Sequence, residues 1–355
     1  MDKIKMGVIG VGDIAFRRYL PAIREFADQV ELVAVCDVDR PRADQVKVDW
    51  GAQQAFCDAE EMLARAELDA VMVLTPMVPH GPLSIAALEA GLHVYVEKVM
   101  AVEMDQADRM VELADERHLV LSCAPSTILL SAYQRAKTWI DAGEIGRVCF
   151  AHALGAHGGP ARWDEYTSDP AWFYKPGGGP LFDLGVYPVQ ILTHYLGPAR
   201  RVIAFSGLCL PELVMTPERV RGQKLQVQVD DTTPLILEFG NATFATVDVS
   251  YNVLSSRMPA MQFFGSAGSL TAPQFLGDEV GLYHQGDEDW QIETVPPNRY
   301  DGLGLAGGFI HWLDCIHEGK QPINNGRHGQ HVLEILLAAQ ESARTGQAVE
   351  LCTTF

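Results

Sequence analysis

The chain has 355 residues, which is more than one ordinary hydrophobic core holds and therefore predicts two domains. With 48% hydrophobic and 21% charged residues, its composition is that of a soluble globular enzyme. The formal net charge of −19 argues against a nucleic-acid partner, because binding a phosphate backbone depends on clustered Lys and Arg side chains.

The N-terminal residues and the cysteines indicate the compartment. The sequence runs into a strand pattern at Ile4 without the charged and apolar regions of a signal peptide. No stretch approaches the roughly 18 consecutive apolar residues of a membrane span. The seven cysteines are scattered and form no C-x-x-C pair, as expected of free thiols in a reducing compartment. We therefore expect a cytoplasmic protein without membrane contact.

From the N-terminus to about residue 124, short apolar runs alternate with helix-periodic segments. This is the pattern of βαβ units around a parallel sheet. The predicted strands are Ile4–Ile9, Leu32–Cys36, Ala70–Leu74, His93–Val96 and Leu119–Cys123. The predicted helices are Ile14–Ala27, Glu60–Ala66, Pro82–Ala90 and Gln106–Arg117. We expect residues 1–124 to form an α/β Rossmann domain with a doubly wound parallel sheet.

After residue 125 the pattern changes to strands separated by turn signals. A predicted helix over Ser131–Ala142 precedes a strand that begins at Val148, and a long loop rich in Gly and Pro follows at residues 155–180. Further strands are predicted at Leu235–Phe239, Ala242–Tyr251, Met261–Gly265 and Ser269–Thr271, and helices at Gly307–Ile316 and His331–Ala343. Because strands joined by short turns pair antiparallel, residues 125–355 are expected to form an α+β domain with a large, mainly antiparallel sheet.

The first predicted strand is followed directly by a glycine motif, GVGDIA over residues 10–15, that opens a helix. Gly10 permits a tight turn, Gly12 lets the backbone approach a pyrophosphate, and the small Ala15 lets the helix pack closely on the strand. The helix N-terminus offers N–H groups and the positive end of its dipole to the phosphates. We therefore expect a bound dinucleotide to contact Gly10, Gly12, Asp13 and Ile14.

Two charged residues after the second predicted strand bear on which dinucleotide binds. Asp37 follows the glycine motif at about the 20-residue spacing expected of a carboxylate that binds the ribose hydroxyls. Such a carboxylate repels a 2′-phosphate, which favours NAD over NADP. Arg40 could instead neutralise or bind that phosphate, so NADP stays open. Asp37 also has a second interpretation, as a turn cap without a ligand.

Two further stretches carry a family resemblance. One comprises Thr75-Pro76, His80 and AGLHVYVEK over residues 90–98, and the other is GGGPLFDLGVY over residues 177–187. Together with residues 10–15 they resemble the signatures of the glucose-fructose oxidoreductase, inositol dehydrogenase and rhizopine-catabolism (Gfo/Idh/MocA) family, over essentially the whole chain. The resemblance implies an NAD(P)-dependent oxidoreductase that transfers a hydride between a nicotinamide cofactor and a sugar, polyol or related hydroxy compound.

The resemblance implies that Lys98 is the catalytic lysine and that Asp183 and Tyr187 complete the site. Oxidising an alcohol requires a group that takes the hydroxyl proton, and lysine or tyrosine can do this when burial and nearby charge shift its pKa toward neutrality. Lys98 ends a parallel strand, where ligands of open α/β sheets bind. Alternatives without chemistry are a surface Lys98 paired with Glu97, a helix cap at Asp183 and a core aromatic at Tyr187.

The same resemblance implies further cofactor contacts, from Thr75, Pro76, His80, Glu97 and Lys98. His80 equally fits a helix-start residue without a ligand. The family's usual Glu-Lys-Pro reads Glu97-Lys98-Val99 in this chain, which removes a proline restraint beside the lysine.

Other histidines and aromatic residues have weaker interpretations. His157, Trp163 and Trp172 lie in or next to the long loop, where rings could pack on a sugar and an imidazole could bind a hydroxyl, but loop packing explains them as well. His328 and His331 form an H-x-x-H pair without a third ligand, so no metal is expected.

Three functions remain open from the sequence. The first is a dehydrogenase or reductase. The second is a glycosidase-like enzyme that oxidises its substrate only transiently, and the third is a non-catalytic regulator that binds NAD and a sugar. Since relatives use the large sheet as an interface, the resemblance also implies a homo-oligomer, either a dimer or a tetramer.

Overall fold

The computed structural model of the protein describes residues 3–273 and 276–355. The chain divides into two compact units, the first comprising residues up to 124 together with 308–330, and the second comprising 125–307 and 331–355. Residues 308–330 join the first unit through its core. The Trp312 ring lies 5.8 Å from the Tyr95 ring, and its indole N–H donates to the Val120 carbonyl oxygen at 3.2 Å. The expected boundary between residues 124 and 125 stays a prediction.

The first unit is built on parallel strands. They are β1 (Ile4–Ile9), β2 (Val30–Cys36), β3 (Gln54–Phe56), β4 (Ala70–Val73), β5 (His93–Val96) and β6 (Leu121–Cys123). The helices are α1 (Leu20–Glu25), α2 (Arg40–Trp50), α3 (Ala59–Arg65), α4 (His80–Glu89) and α5 (Met104–Glu116), and a π turn at Ala15–Tyr19 leads into α1. Every pairing in this sheet is parallel, in the order β3-β2-β1-β4-β5-β6. This order confirms the predicted Rossmann fold, whose ligands bind where the strand order reverses, beside β1 and β4.

Helix α2 and strand β3 are absent from the sequence prediction. Helix α2 buries Ala43 and Val46 among charged residues, so it shows almost no apolar stripe. Its start is nevertheless specified locally, because the Asp39 carboxylate accepts a hydrogen bond from the Arg42 backbone amide at 3.3 Å.

The second unit contains a large mixed sheet. Its strands are β7 (Val148–Ala156), β8 (Arg201–Ala204), β11 (Thr232–Gly240), β12 (Thr243–Ser250), β13 (Met261–Gly265), β14 (Gly268–Ala272), β15 (Glu279–His284), β16 (Gln291–Thr294) and β17 (Val349–Glu350). The strand order is β16-β15-β14-β13-β7-β12-β11-β8-β17, and β9 (Glu212–Val214) pairs separately with β10 (Lys224–Gln226). Its pairings are antiparallel except that of β7 with β12. The predicted mainly antiparallel sheet is thereby confirmed.

Helices cover one face of this sheet. They include α6 (Ser131–Asp141) and α7 (Val186–Leu196), and a π turn at Leu181–Gly185 runs into α7. Of the later helices, α8 (Gly307–Glu318) belongs to the first unit except for its first residue, and α9 (Gly326–Thr345) contributes its residues from 331 onward to the second unit. On the other face, register places Phe150 beside both Phe244 and Phe264, and the rings of Phe150 and Phe264 stack at 6.1 Å. No helix in the described part of the chain is long and apolar enough to cross a membrane.

Candidate functional site

The glycine motif forms a tight loop at the carboxyl end of β1. Gly10 has φ +87°, and a Cβ atom there would lie 2.7 Å from the Thr75 backbone nitrogen, so the loop requires glycine at this position. A Cβ atom at Gly12 would meet no atom within 4 Å. Gly10 therefore serves the close approach of the loop to the segment after β4, whereas Gly12 leaves open space beside the backbone.

Asp37 follows β2 at the same sheet edge and holds this loop. Its Oδ2 accepts from the Val11 amide at 3.0 Å, and its Oδ1 accepts from the Asp39 amide at 2.9 Å. The turn contact to Asp39 is the one that the cap interpretation expects. The carboxylate thus connects the first and second strand ends, and its contact with a ribose remains a prediction.

The arginine beside Asp37 is Arg42, and contact of Arg40 with a 2′-phosphate stays a prediction. Arg42 Nη1 lies 3.4 Å from both Asp37 carboxylate oxygens, whereas Arg40 Nε donates to Asp44 at 2.9 Å on the exposed side of α2. The two arginines are neighbours in sequence but project from different sides of a helix with 3.6 residues per turn. The sequence analysis did not predict α2. Without that helix, the direction in which Arg42 projects, five residues after Asp37, could not be derived.

Lys98 follows β5 and is half-buried. The preceding Glu97 is buried, and its carboxylate accepts from the Tyr19 hydroxyl at 2.6 Å and from the Lys98 amide at 3.0 Å. Burial, followed by the charge of Glu97, raises the pKa of Tyr19 well above its ordinary value, so this hydroxyl remains a donor. Glu97 therefore fixes the backbone at Lys98, which a surface-exposed Glu97 would not do.

His80 connects the segments that follow β4 and β5. Its Nε2 lies 2.8 Å from the Thr75 carbonyl oxygen, and its Nδ1 lies 2.7 Å from the Val99 carbonyl oxygen. The side chain is 1% exposed, and burial lowers the pKa of His80. Both ring nitrogens thus face backbone carbonyls, which makes His80 a link within the protein, and a direct cofactor contact remains only a prediction. The Lys98–Val99 peptide bond, where the family has proline, is cis.

These residues fit a dinucleotide. Gly10, Asp37, Thr75 and Lys98 each follow a different parallel strand, so they lie at one sheet edge. Within the described residues, Thr75 Oγ1 is a buried oxygen without a hydrogen-bond partner, and Gly12 borders open space. The first turn of the following helix presents Asp13 and Ile14 amides, the groups that bind phosphate at such sites. Pro76 is exposed beside Thr75.

Asp183 belongs to the second unit and lies in the π turn that leads into α7. It is 5% exposed, and its Oδ2 accepts from the Tyr251 hydroxyl at 2.8 Å. The glycine run before it is needed for close packing, since a Cβ atom at Gly178 would lie 2.7 Å from the Phe173 carbonyl oxygen. Asp183 is therefore a buried carboxylate with a hydroxyl partner.

Tyr187 lies in the first turn of α7 and is half-buried. It lines a small cleft together with Thr127, Leu154 and Met261. The Thr127 hydroxyl is buried and, among the residues described, has no hydrogen-bond partner. Tyr187 is thus not a fully enclosed core aromatic.

The three predicted substrate contacts have different surroundings. The His157 ring stacks on Tyr251 at 6.0 Å, and its Nδ1 accepts from the Gly159 amide at 2.8 Å. Trp163 is 38% exposed and lies 6.0 Å from the Tyr166 ring, while Trp172 stacks on Phe173 at 3.6 Å. His157 therefore contacts Tyr251, the hydrogen-bond partner of Asp183. Both tryptophans lie among other aromatic residues of the loop.

Tyr251 is the main residue that the sequence analysis missed. It directly follows β12, a strand that the sequence predicts, but its contact with Asp183 depends on the packing of the Leu181–Gly185 turn against β12, two segments far apart in sequence. In residues 3–273 and 276–355, no group of three or more His, Cys, Asp or Glu side chains is arranged to hold a metal ion. His331 instead accepts from the Ala199 amide at 3.0 Å.

Comparison with protein families matches both units. Residues 4–124 match the model of an oxidoreductase family with an NAD-binding Rossmann fold, and residues 133–271 match the Gfo/Idh/MocA C-terminal domain. The first match shows that residues 4–124 form an NAD-binding Rossmann domain.

Two curated relatives and a solved structure match the chain over nearly its whole length. Scyllo-inositol 2-dehydrogenase (NAD(+)) of Bacillus subtilis (strain 168) is 24% identical, covering 98% of this chain and 96% of that protein. D-glucoside 3-dehydrogenase of Escherichia coli (strain K12) is 25% identical, covering 98% and 97%. The structure of a levoglucosan dehydrogenase in complex with NADH has a TM-score of 0.84 at 20% identity, covering 99% and 100%. The chain belongs to the Gfo/Idh/MocA family of oxidoreductases, and its first unit is an NAD-binding Rossmann domain.

Proposed function

We propose that this protein is an NAD-dependent dehydrogenase or reductase that acts on the CH–OH group of a sugar, polyol or related hydroxy compound. The observation that carries the proposal is Lys98, a half-buried amine that follows β5 at the sheet edge bearing the glycine loop. The names of the two curated relatives, an inositol dehydrogenase and a glucoside dehydrogenase, support this substrate class.

In this proposal Lys98, Asp183 and Tyr187 act on one substrate. Lys98 and Tyr187 take the proton from the substrate hydroxyl or return it, and Asp183 orients them. Bound NAD supplies a nicotinamide ring that accepts a hydride in one direction and returns it in the other. The buried Glu97 and His80 bind the backbone on either side of Lys98, so that the Lys98 side chain starts from a fixed position.

The remaining site residues have supporting roles. Gly10, Gly12, Asp13 and Ile14 bind the pyrophosphate, and Asp37 binds the adenosine ribose, which favours NAD over NADP. Thr75, Pro76 and His80 line the cofactor side. His157, Trp163 and Trp172 contact the substrate. The large sheet joins copies of the chain into a homo-oligomer, and the seven free thiols support a cytoplasmic location.

Replacement of the lysine tests the proposal. Lys98→Met is expected to lower kcat by at least about 100-fold, because general acid–base catalysis contributes 10²–10⁴-fold, while the Kd of NADH changes by no more than about twofold. The substrate is first found in a panel of sugars and polyols at the nicotinamide absorbance band, and NADH binding is measured by fluorescence.

Lys47→Met is the matched control, since Lys47 is exposed on α2 in the same unit. A Lys98→Met protein that keeps its turnover would contradict the proposal. A product that forms without net NADH release would instead support the transient-oxidation enzyme, and tight NADH binding without any turnover would support the regulator.

A further inference from the structure

We propose that Tyr251 is a positioning residue for Asp183, which it orients by donating a hydrogen bond from its hydroxyl to the carboxylate. The inference rests on the proposed function, in which Asp183 orients the groups that transfer the proton. It adds a residue that lies in neither of the family signatures recognised in the sequence.

The contact is short and buried. The Tyr251 hydroxyl lies 2.8 Å from Asp183 Oδ2, and Tyr251 is 1% exposed. A hydrogen bond to an ionised acceptor is roughly twice as strong as one between neutral groups. One carboxylate oxygen is therefore engaged, and the rotation of the Asp183 side chain is restricted.

Tyr251 can orient another group because its own position is fixed. Its amide donates to the Asp231 carbonyl oxygen at 3.0 Å, and its carbonyl accepts from the Arg162 guanidinium. Its ring lies 5.2 Å from the Tyr174 ring and stacks on His157. Contacts from several segments thus determine where the hydroxyl lies.

The surroundings keep this hydroxyl protonated. Burial, followed by the charge of Asp183 and the neighbouring Tyr174 and Tyr166, raises the pKa of Tyr251 well above its ordinary value. The other titratable or charged groups around this cluster are His157, Arg162 and Asp231. Because Tyr251 does not release its proton near neutral pH, it acts through Asp183 and does not transfer protons itself.

The test is Tyr251→Phe, which removes the hydroxyl and keeps the ring. We expect kcat to fall at least about tenfold, the effect of losing one charge-assisted hydrogen bond, with KM and the Kd of NADH changed by less than about threefold. Tyr195→Phe is the matched control, because the buried Tyr195 hydroxyl donates at 2.6 Å to the Tyr133 carbonyl and not to Asp183. Its kcat is expected to stay within about twofold of the wild-type value.

The same substitution in an Asp183→Ala background separates positioning from a general loss of packing. Positioning predicts that Tyr251→Phe has no further effect on kcat once the carboxylate is gone. An equal fold-loss in both backgrounds, or an equal loss in Tyr195→Phe, would overturn the inference.

Urea unfolding of the wild type, Tyr251→Phe, Asp183→Ala and the double variant provides a readout that needs no substrate. Non-additive midpoints support the Tyr251–Asp183 pair, and additive midpoints overturn it. A wild-type protein that converts no compound in the substrate panel counts against the proposed function. The unfolding measurements then still test whether Tyr251 and Asp183 interact.

Discussion

Two charged side chains near the glycine loop lie where the ribose of a dinucleotide is expected. Asp37 is buried and carries two backbone hydrogen bonds, while Arg42 lies 3.4 Å from both of its carboxylate oxygens. A guanidinium at this distance offsets the repulsion that the carboxylate exerts on a 2′-phosphate. Cofactor preference is therefore expected to depend on the balance between Asp37 and Arg42, and not on Arg40.

Replacement of each arginine tests this balance. Arg42→Ala is expected to weaken NADPH binding more than NADH binding. The Kd of NADPH divided by the Kd of NADH is expected to rise by about tenfold, the effect of one charge-assisted contact. Arg40→Ala, the control two positions earlier in α2, is expected to leave the ratio within about twofold, because Arg40 pairs with the exposed Asp44. Fluorescence titration with both cofactors measures the ratios. Equal ratios in the two variants would contradict the assignment.

At the scale of elements, helix α9 holds the C-terminal residues. Both Glu334 carboxylate oxygens accept hydrogen bonds, from the Cys352 amide at 2.7 Å and from the Thr353 amide at 2.9 Å. Burial acts to raise the pKa of Glu334, but the nearby His331, 3.8 Å away, and hydrogen bonds from Thr353 and these amides outweigh it and hold the pKa at about 2. The tail is thus anchored by an ionised carboxylate.

The lowered pKa predicts how this anchor depends on pH. Its contribution to stability is present above the ordinary pKa of 4.5 and is lost as pH falls toward about 2, because the unfolded chain takes up the proton first. Glu334→Gln is expected to lower the free energy of unfolding by about 1–3 kcal/mol at pH 7, and by progressively less below pH 4.5. Urea unfolding at a series of pH values measures this difference.

Glu341→Gln on the same helix is the matched control. The Glu341 carboxylate pairs with Arg344 on the surface, where such a pair contributes no more than about 1 kcal/mol. A Glu334→Gln difference that stays constant down to pH 2 would show that the carboxylate's charge is not what holds the tail.

At the scale of the whole molecule, one face of the large sheet carries exposed apolar side chains beside the ion pairs of His152 with Asp248 and of Arg201 with Glu238. Between 37% and 74% of each side chain is exposed for Phe150, Ile203, Phe205, Ile236 and Phe244. Register pairs Phe244 with Phe150 and Ile236 with Ile203, so these side chains share a face. Exposed apolar patches of this kind mark interaction sites, which supports the proposed homo-oligomer.

A charge on this face is expected to weaken assembly. Phe244→Lys places an ammonium within the apolar patch, where burial by a second copy would cost several kcal/mol, so the sedimentation coefficient is expected to fall toward that of a monomer. Val48→Lys is the control, since Val48 is 76% exposed on α2 in the other unit. A monomeric wild-type protein, or equal behaviour of the two variants, would contradict the proposal.

Most of the architecture follows from local sequence. Alternating apolar runs and helix-periodic segments predict the Rossmann unit and the later sheet, because side-chain burial repeats with the period of each element. The exceptions include α2 and β3 in the first unit and the outer strands β8, β15, β16 and β17 in the second. Helix α2, which buries only Ala43 and Val46, and the three-residue strand β3 carry too little apolar pattern to be recognised. The glycine motif could also be recognised from the sequence, because its backbone geometry depends on residues 10–15 themselves.

Contacts between distant segments were decided only by the tertiary structure. The contact of Tyr19 with Glu97 and those of the His80 ring nitrogens with two carbonyls depend on how strands and helices pack. The contact of Arg42 with Asp37 is local, but it depends on the helix α2 that the sequence did not reveal. The pairing of Tyr251 with Asp183 joins residues 68 positions apart. Sequence alone therefore determined the family, the cofactor motif and the order of elements, because these are encoded locally. The partners of each site residue were determined by folding, because burial and pairing bring together residues that no local pattern connects.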